Sequence, residues 1–172
     1  MREEDFIDNS AAAIEGKEEL IRLLCSPLYY DEETQQVNVD AFDLRIFRKK
    51  GVLVPESYVS LGRMRMMADE KALNDYLQLG YIIWKDKHKV NDYYSAYGIF
   101  VCQCALQISN MIKIHPLKNS KLNHIGLFYV KSDNEYYKGP LPKNDVGVLE
   151  ALTGLASLLE ERICKAPARN AV

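Results

Sequence analysis

The sequence predicts an α+β fold in one domain, a mainly antiparallel sheet packed against a long C-terminal amphipathic helix and preceded by an acidic N-terminal helical arm. Three observations predict it. From Ala41 onward apolar residues recur with a period of two, "MIKIHPL" and "HIGLFYV" are joined by the polar turn "KNSKLN" as in an antiparallel pair, and Val148, Leu149, Leu152, Leu155, Ala156, Leu159 and Ile163 recur at helical spacing. At 172 residues there is room for one domain with a substantial core.

The expected boundaries are an acidic arm over 1–40, an α+β body over 41–166 and a fraying tail, "APARNAV", whose last six residues are 167–172. In the arm, "KEELIRLLC" sets Leu20, Ile21, Leu23 and Leu24 on a helical stripe, which Pro27 ends for want of an N–H. "YYDEETQQVNVD" reads as a polar connection that ends in a short strand. In the body, "AFDLRIF", "GVLV" and "SYVSL" read as strands, "EKALNDYLQLG" as a short helix stopping at Gly80, and "YIIW" as the strand after it. Periodicity leaves the run Ala96–Ile108 open between a central strand and a buried helix, and Ile99, Phe100 and Val101 favour strand. Asp145 is placed to cap the last helix.

Charge is distributed unevenly. Residues 1–40 carry eleven acidic side chains against Arg2, Lys17 and Arg22, a local charge of −8, which leaves +6 on the rest of a chain whose net charge is −2. Such asymmetry points to a charged partner or to the arm folding back onto the body. The N-terminus has no apolar segment of the signal-peptide kind and no uncharged apolar run approaches a membrane span, so a cytoplasmic location without membrane contact is expected. In that compartment Cys25, Cys102, Cys104 and Cys164 are expected as thiols among apolar neighbours.

Four chemistries can be weighed. Cys102 and Cys104 with His115 and His124 offer zinc-binding residue types, but one intervening residue inside an apolar strand aims both sulfurs into a core rather than onto a tight turn. The apolar neighbours in "FVCQCAL" raise a thiol's pKa, the opposite of what a cysteine nucleophile needs. "HIGL" resembles half of the paired signature of the two-histidine phosphoesterases, yet Gly126 stands where that family has a hydroxyl residue, and "HPLK" is no second copy. Arg63, Arg65 and Glu70 in "LGRMRMMADE" resemble the phosphate-holding residues of NAD-consuming folds, but neither a Walker nor a Rossmann glycine-rich loop accompanies them. The expectation is therefore no metal, no cofactor and no catalytic residue, with His115 and His124 structural or part of a contact surface.

What remains is a basic body. Between Met111 and Asn144 there are six lysines against Asp133 and Glu135, and Arg45, Arg48, Lys49 and Lys50 form a second basic group. Candidate partner-contact residues are Arg45, Arg48, Arg63, Arg65, His115, Lys118, Lys121 and His124. The order "FDLRIF", "SLGRMR", "YGIFVCQCALQI", "HPLKNSKLNHIGL" and a C-terminal helix resembles small bacterial accessory proteins, some from defence loci, and this implies an accessory role while transferring no functional residue. The expected function is a non-enzymatic binding or accessory module with a protein partner. The alternatives are a nucleic-acid-contacting module using the basic hairpin, because cations with interleaved aromatics bind phosphates and stack bases, and a small enzyme.

Overall fold

The computed structural model describes residues 5–88, 93–118 and 124–166. In chain order the elements are β1 (Glu19–Ser26), β2 (Tyr30–Asp31), β3 (Gln36–Val37), β4 (Ile46–Lys49), β5 (Val52–Pro55), β6 (Val59–Arg63), α1 (Glu70–His88), β7 (Tyr93–Val101), α2 (Cys102–Ile108), β8 (Ile112–Pro116), β9 (His124–Tyr129), α3 (Val146–Glu160) and β10 (Ile163–Lys165). Six strands form one antiparallel sheet in the order β10-β7-β1-β6-β9-β8, while β2-β3 and β4-β5 are separate two-stranded ribbons.

The predicted N-terminal helix is instead β1, a strand inside the sheet, paired along its whole length with β7. Its apolar residues serve both faces. Leu20 and Leu24 enter the core beneath α3 with Leu61, Phe100, Leu127, Leu152, Leu155 and Leu159. Ile21 and Leu23 pack beneath α1 with Met67, Tyr76 and Leu77. A strand covered on both faces has no polar alternation, and its near-continuous apolar run mimics a helical stripe.

Other elements depart from the sequence reading as well. "AFDLRIF" starts as a 3-10 turn over Val39–Phe42, capped by the Asn38 side chain accepting from the Asp40 N–H, and becomes a strand only at Ile46. The helix expected to stop at Gly80 runs on through "YIIW" to His88. The apolar run from Ala96 divides at Val101/Cys102, strand before and helix after, so Cys102 and Cys104 lie on α2 rather than on a strand. The tail 167–172 lies outside the described residues.

The β8–β9 pair agrees with its expectation, and α3 does so in part: the helix ends at Glu160, so Ile163, expected on its stripe, lies in β10, and Leu149 faces solvent. Ile112 pairs with Tyr129 and His115 with Gly126 in antiparallel register, and the Asp145 carboxylate accepts from the Val148 N–H at 3.1 Å to cap α3. The last helix closes tightly on the sheet because Gly98 has no side chain: a Cβ there would lie 2.3 Å from Leu159. The acidic segment before β1 does fold back. The Asp8 N–H donates to Pro116 O at 2.9 Å, the Lys118 N–H donates to Phe6 O at 2.8 Å, and Ile7 is buried with Leu117 and Phe128. No helix among the described residues is long and apolar enough to cross a membrane.

Candidate docking surface

Most of the predicted contact residues are committed to holding the fold. Arg63 is buried at the end of β6 and grips Glu18 with two bonds, Nε to Oε1 at 2.5 Å and the second terminal nitrogen to Oε2 at 2.7 Å. Its other terminal nitrogen donates to Ala12 O at 3.2 Å and the second also reaches Ala13 O at 3.5 Å, tying the N-terminal segment to the sheet. Arg65, more exposed, places Nε 3.6 Å from the same Glu18 carboxylate. Burial pushes the Glu18 carboxyl pKa up, but the hydrogen bond and charge of Arg63 and the charge of Arg65 outweigh it and hold the group below its usual range. Arg63 and Arg65 are thus two predicted site residues that one partner brings together.

The two histidines share the sheet face under α1 but have different neighbours. His124 lies edge-on to Tyr76 of α1 with ring centroids 5.9 Å apart, and His115 lies against Phe128 at 5.7 Å. Burial, aided by the Lys113 charge, lowers the His115 pKa. Lys118 is exposed, and Lys121 lies outside the described residues. Cys25 and Cys102 are buried, and burial pushes the Cys102 thiol up to about 11. Among the described residues no group of three or more His, Cys, Asp or Glu is placed to hold a metal ion.

Arg45 anchors a feature that the sequence reading saw only in part. Its guanidinium lies 5.2 Å from the centroid of the buried Tyr29 ring, which the Arg22 guanidinium also approaches at 5.3 Å, and its backbone N–H donates to Glu56 Oε2 at 2.9 Å. The Glu56 N–H returns a bond to Arg45 O at 2.7 Å, and the Gly139 N–H donates to Glu56 O at 2.8 Å. These bonds fix the base of the β4–β5 ribbon. At its far end Lys50 and Gly51 have φ of 49° and 82°, the paired positive values of a type I′ turn, which matches the twist of the strands it joins.

Between base and turn the ribbon reads "IFRKKGVLVP". The register pairs Ile46 with Pro55, Phe47 with Val54, Arg48 with Leu53 and Lys49 with Val52, so each face of the outer half carries one cation and one aliphatic residue. Ile46, Val52 and Leu53 are 53%, 64% and 62% exposed, and Arg48, Lys49 and Lys50 are exposed beside them. None of these three cations has an ion-pair partner among the described residues. Of the predicted contact set, therefore, Arg48 stands on a surface able to dock. Lys49, Lys50, Ile46, Val52 and Leu53 join it. The signal for these was available in sequence: a Lys-Gly turn flanked by apolar residues of both parities, in a short hairpin where a third strand is missing.

No known protein family, curated protein or solved structure matches this chain, so the geometry alone carries the functional reading.

Proposed function

We propose that this chain is a non-enzymatic binding module that acts through a protein partner, as an accessory part of a larger assembly, and that the β4–β5 ribbon is its docking element. The observation that carries this reading is the exposure of Ile46, Val52 and Leu53 beside three cations on a ribbon with a fixed base. Aliphatic side chains held in water on a pre-ordered element gain by being covered, and pre-ordering lowers the entropy lost on binding. The titratable groups elsewhere support a binding role: Arg63 and Glu18 neutralise each other, Arg22 holds Ala41 O and Ser60 O, and the histidines pack on aromatic rings.

The test is affinity capture from the native host with the intact chain and two variants, Val52→Ser/Leu53→Ser and Arg48→Glu/Lys49→Glu/Lys50→Glu. A protein retained by the wild type should be lost with the first variant and weakened with the second. A captured set that neither variant alters would refute the reading. The three cations also favour a second reading, contact with nucleic acid. That reading requires an oligonucleotide affinity whose logarithm falls with log salt at a slope of about −2 to −3, as three phosphate contacts dictate.

A further inference from the structure

The base of the ribbon rests on the body, β4 lying against α1 and Phe47 and Val54 half-buried, but its outer half exposes side chains on both faces. Leu53 with Arg48 lies on one, Val52 with Lys49 on the other, and Lys50 stands at the turn between them. A flat partner covers one face, whereas a concave acidic one covers both and neutralises the cations. The molecule has such a concavity. Beside the short edge strand β10, an open groove of about 620 Å³ is lined by Tyr30, Glu32, Gln35, Glu161, Ile163 and Lys165, among others.

The groove carries a small acidic excess, three carboxylates against two cations. Glu32, Glu160 and Glu161 face Arg162 and Lys165, and Arg162 is already ion-paired to Glu19. The Glu160 carboxylate is held in place by the Val37 N–H, which donates to it at 2.8 Å. Tyr30, buried, and Ile163, half-buried, supply apolar wall for aliphatic side chains. No residue of 46–55 lines this groove in its own chain, so the complementary tip must come from another molecule.

Resting on the reading of the ribbon as a docking element, we infer that its partner is a second copy of this chain, the turn of one copy seating in the acidic groove beside β10 of the next. Tip and groove are different patches, so the contact is heterologous, and repetition of it makes a ring or an open filament according to the rotation between copies. A four-residue tip buries well under the ~1,000 Å² of a stable interface. The association is correspondingly weak, concentration-dependent and sensitive to salt.

Sedimentation velocity on the full chain, from about 10 to about 500 μM at low salt, tests this directly. The wild type should show a mean mass that rises with concentration and falls back as salt is added. Reversing the tip (Lys49→Glu/Lys50→Glu) or the groove (Glu32→Lys/Glu161→Lys) should each lower the association constant at least tenfold. An equimolar mixture of the two variants should restore it, because each tip then meets a groove of opposite sign. Glu150→Lys, an exposed charge reversal on α3, should leave association within twofold of wild type, and melting curves confirm that every variant is folded.

A chain that stays monomeric over this range, a mass rise that either reversal leaves unchanged, or a mixture that does not re-associate overturns the inference. So does anionic vesicle binding (phosphatidylcholine with 30% phosphatidylserine) that the tip reversal abolishes in a chain that stays monomeric. If the chain is monomeric while the ribbon variants still lose a captured heterologous protein, the docking reading stands and the second-copy inference falls. If Val52→Ser/Leu53→Ser changes neither mass nor capture, both fall.

Discussion

Replacing Glu18 by Gln should destabilise the fold more than any other single change of charge at its site. The Glu18 and Arg63 side chains are 4% and 8% exposed, joined by two bonds of 2.5 and 2.7 Å. The glutamine leaves the guanidinium buried without its counter-charge, and breaking a buried pair from one side costs about 3–5 kcal/mol. For a chain of this size each kcal/mol moves Tm by about 2–4 °C, which places the expected drop near 10 °C. The assay is urea unfolding at pH 7 with a thermal melt beside it. The double variant Glu18→Gln/Arg63→Met should recover most of the loss, because the orphaned charge leaves with the arginine. A loss below about 1 kcal/mol would refute the reasoning, since it would mean that water already screens the pair. The pH dependence has a definite sign. The folded carboxyl titrates below its ordinary value of 4.5, so the unfolded chain takes up the proton first as pH falls. The contribution is complete above about 4.5 and is lost as pH drops through the folded value, and Glu18→Gln should flatten that acid limb.

The other expectations concern packing and one histidine. Leu155→Ala and Leu159→Ala, at positions 1% and 0% exposed, should each cost about 2–5 kcal/mol in urea unfolding. Gly98→Ala forces a Cβ to within 2.3 Å of Leu159 and should cost about 1–3 kcal/mol, most of it relieved in a Leu159→Ala background. His115 titrates below its ordinary value of 6.5 when folded, so its contribution is complete above that pH and is lost as pH falls through the folded value. His115→Asn should remove that slope from the pH dependence of Tm. Val52→Ser/Leu53→Ser should leave urea stability within about 0.5 kcal/mol, because both side chains are already in water.

The parts of the fold legible in sequence were those whose separate local signals agree. In α3 the stripe from Val148 to Leu159 and the Asp145 cap agree with each other, and β8 and β9 pair antiparallel as read, the polar segment 119–123 between them lying outside the described residues. The strand β1, buried on two sides, was misread. In "KEELIRLLC" the apolar residues at 20, 21, 23 and 24 fit a helical stripe as well as a strand served by α3 above and α1 below. The Arg22 guanidinium among them lies buried, bonded to Ala41 O at 2.9 Å and Ser60 O at 3.1 Å. Those acceptors come from residues 19 and 38 positions away, a tertiary fact that local periodicity does not encode. Gly80 misled in the same way. Glycine often ends a helix at positive φ, but here α1 passes through it in the right-handed conformation to His88.

The docking surface was obscured by an assumption about charge. Counting arginines and histidines selects residues by what they could bind, whereas the fold had already given Arg63 to Glu18, Arg45 to Glu56 and Tyr29, and His124 to Tyr76. Each of these side chains is worth more inside the molecule than outside it, because a buried charge without its partner is costly. A cation becomes available to a partner where the local sequence has no acid to satisfy it, and 46–55 holds Arg48, Lys49 and Lys50 with no Asp or Glu. Five aliphatic residues, Ile46, Val52, Leu53, Val54 and Pro55, accompany them on two strands that pair only with each other among the described residues. The aliphatic residues matter as much as the charge. Phosphate contact alone rewards lysine and arginine and gives no reason to keep valine and leucine in water, whereas a concave protein surface with acidic walls rewards both.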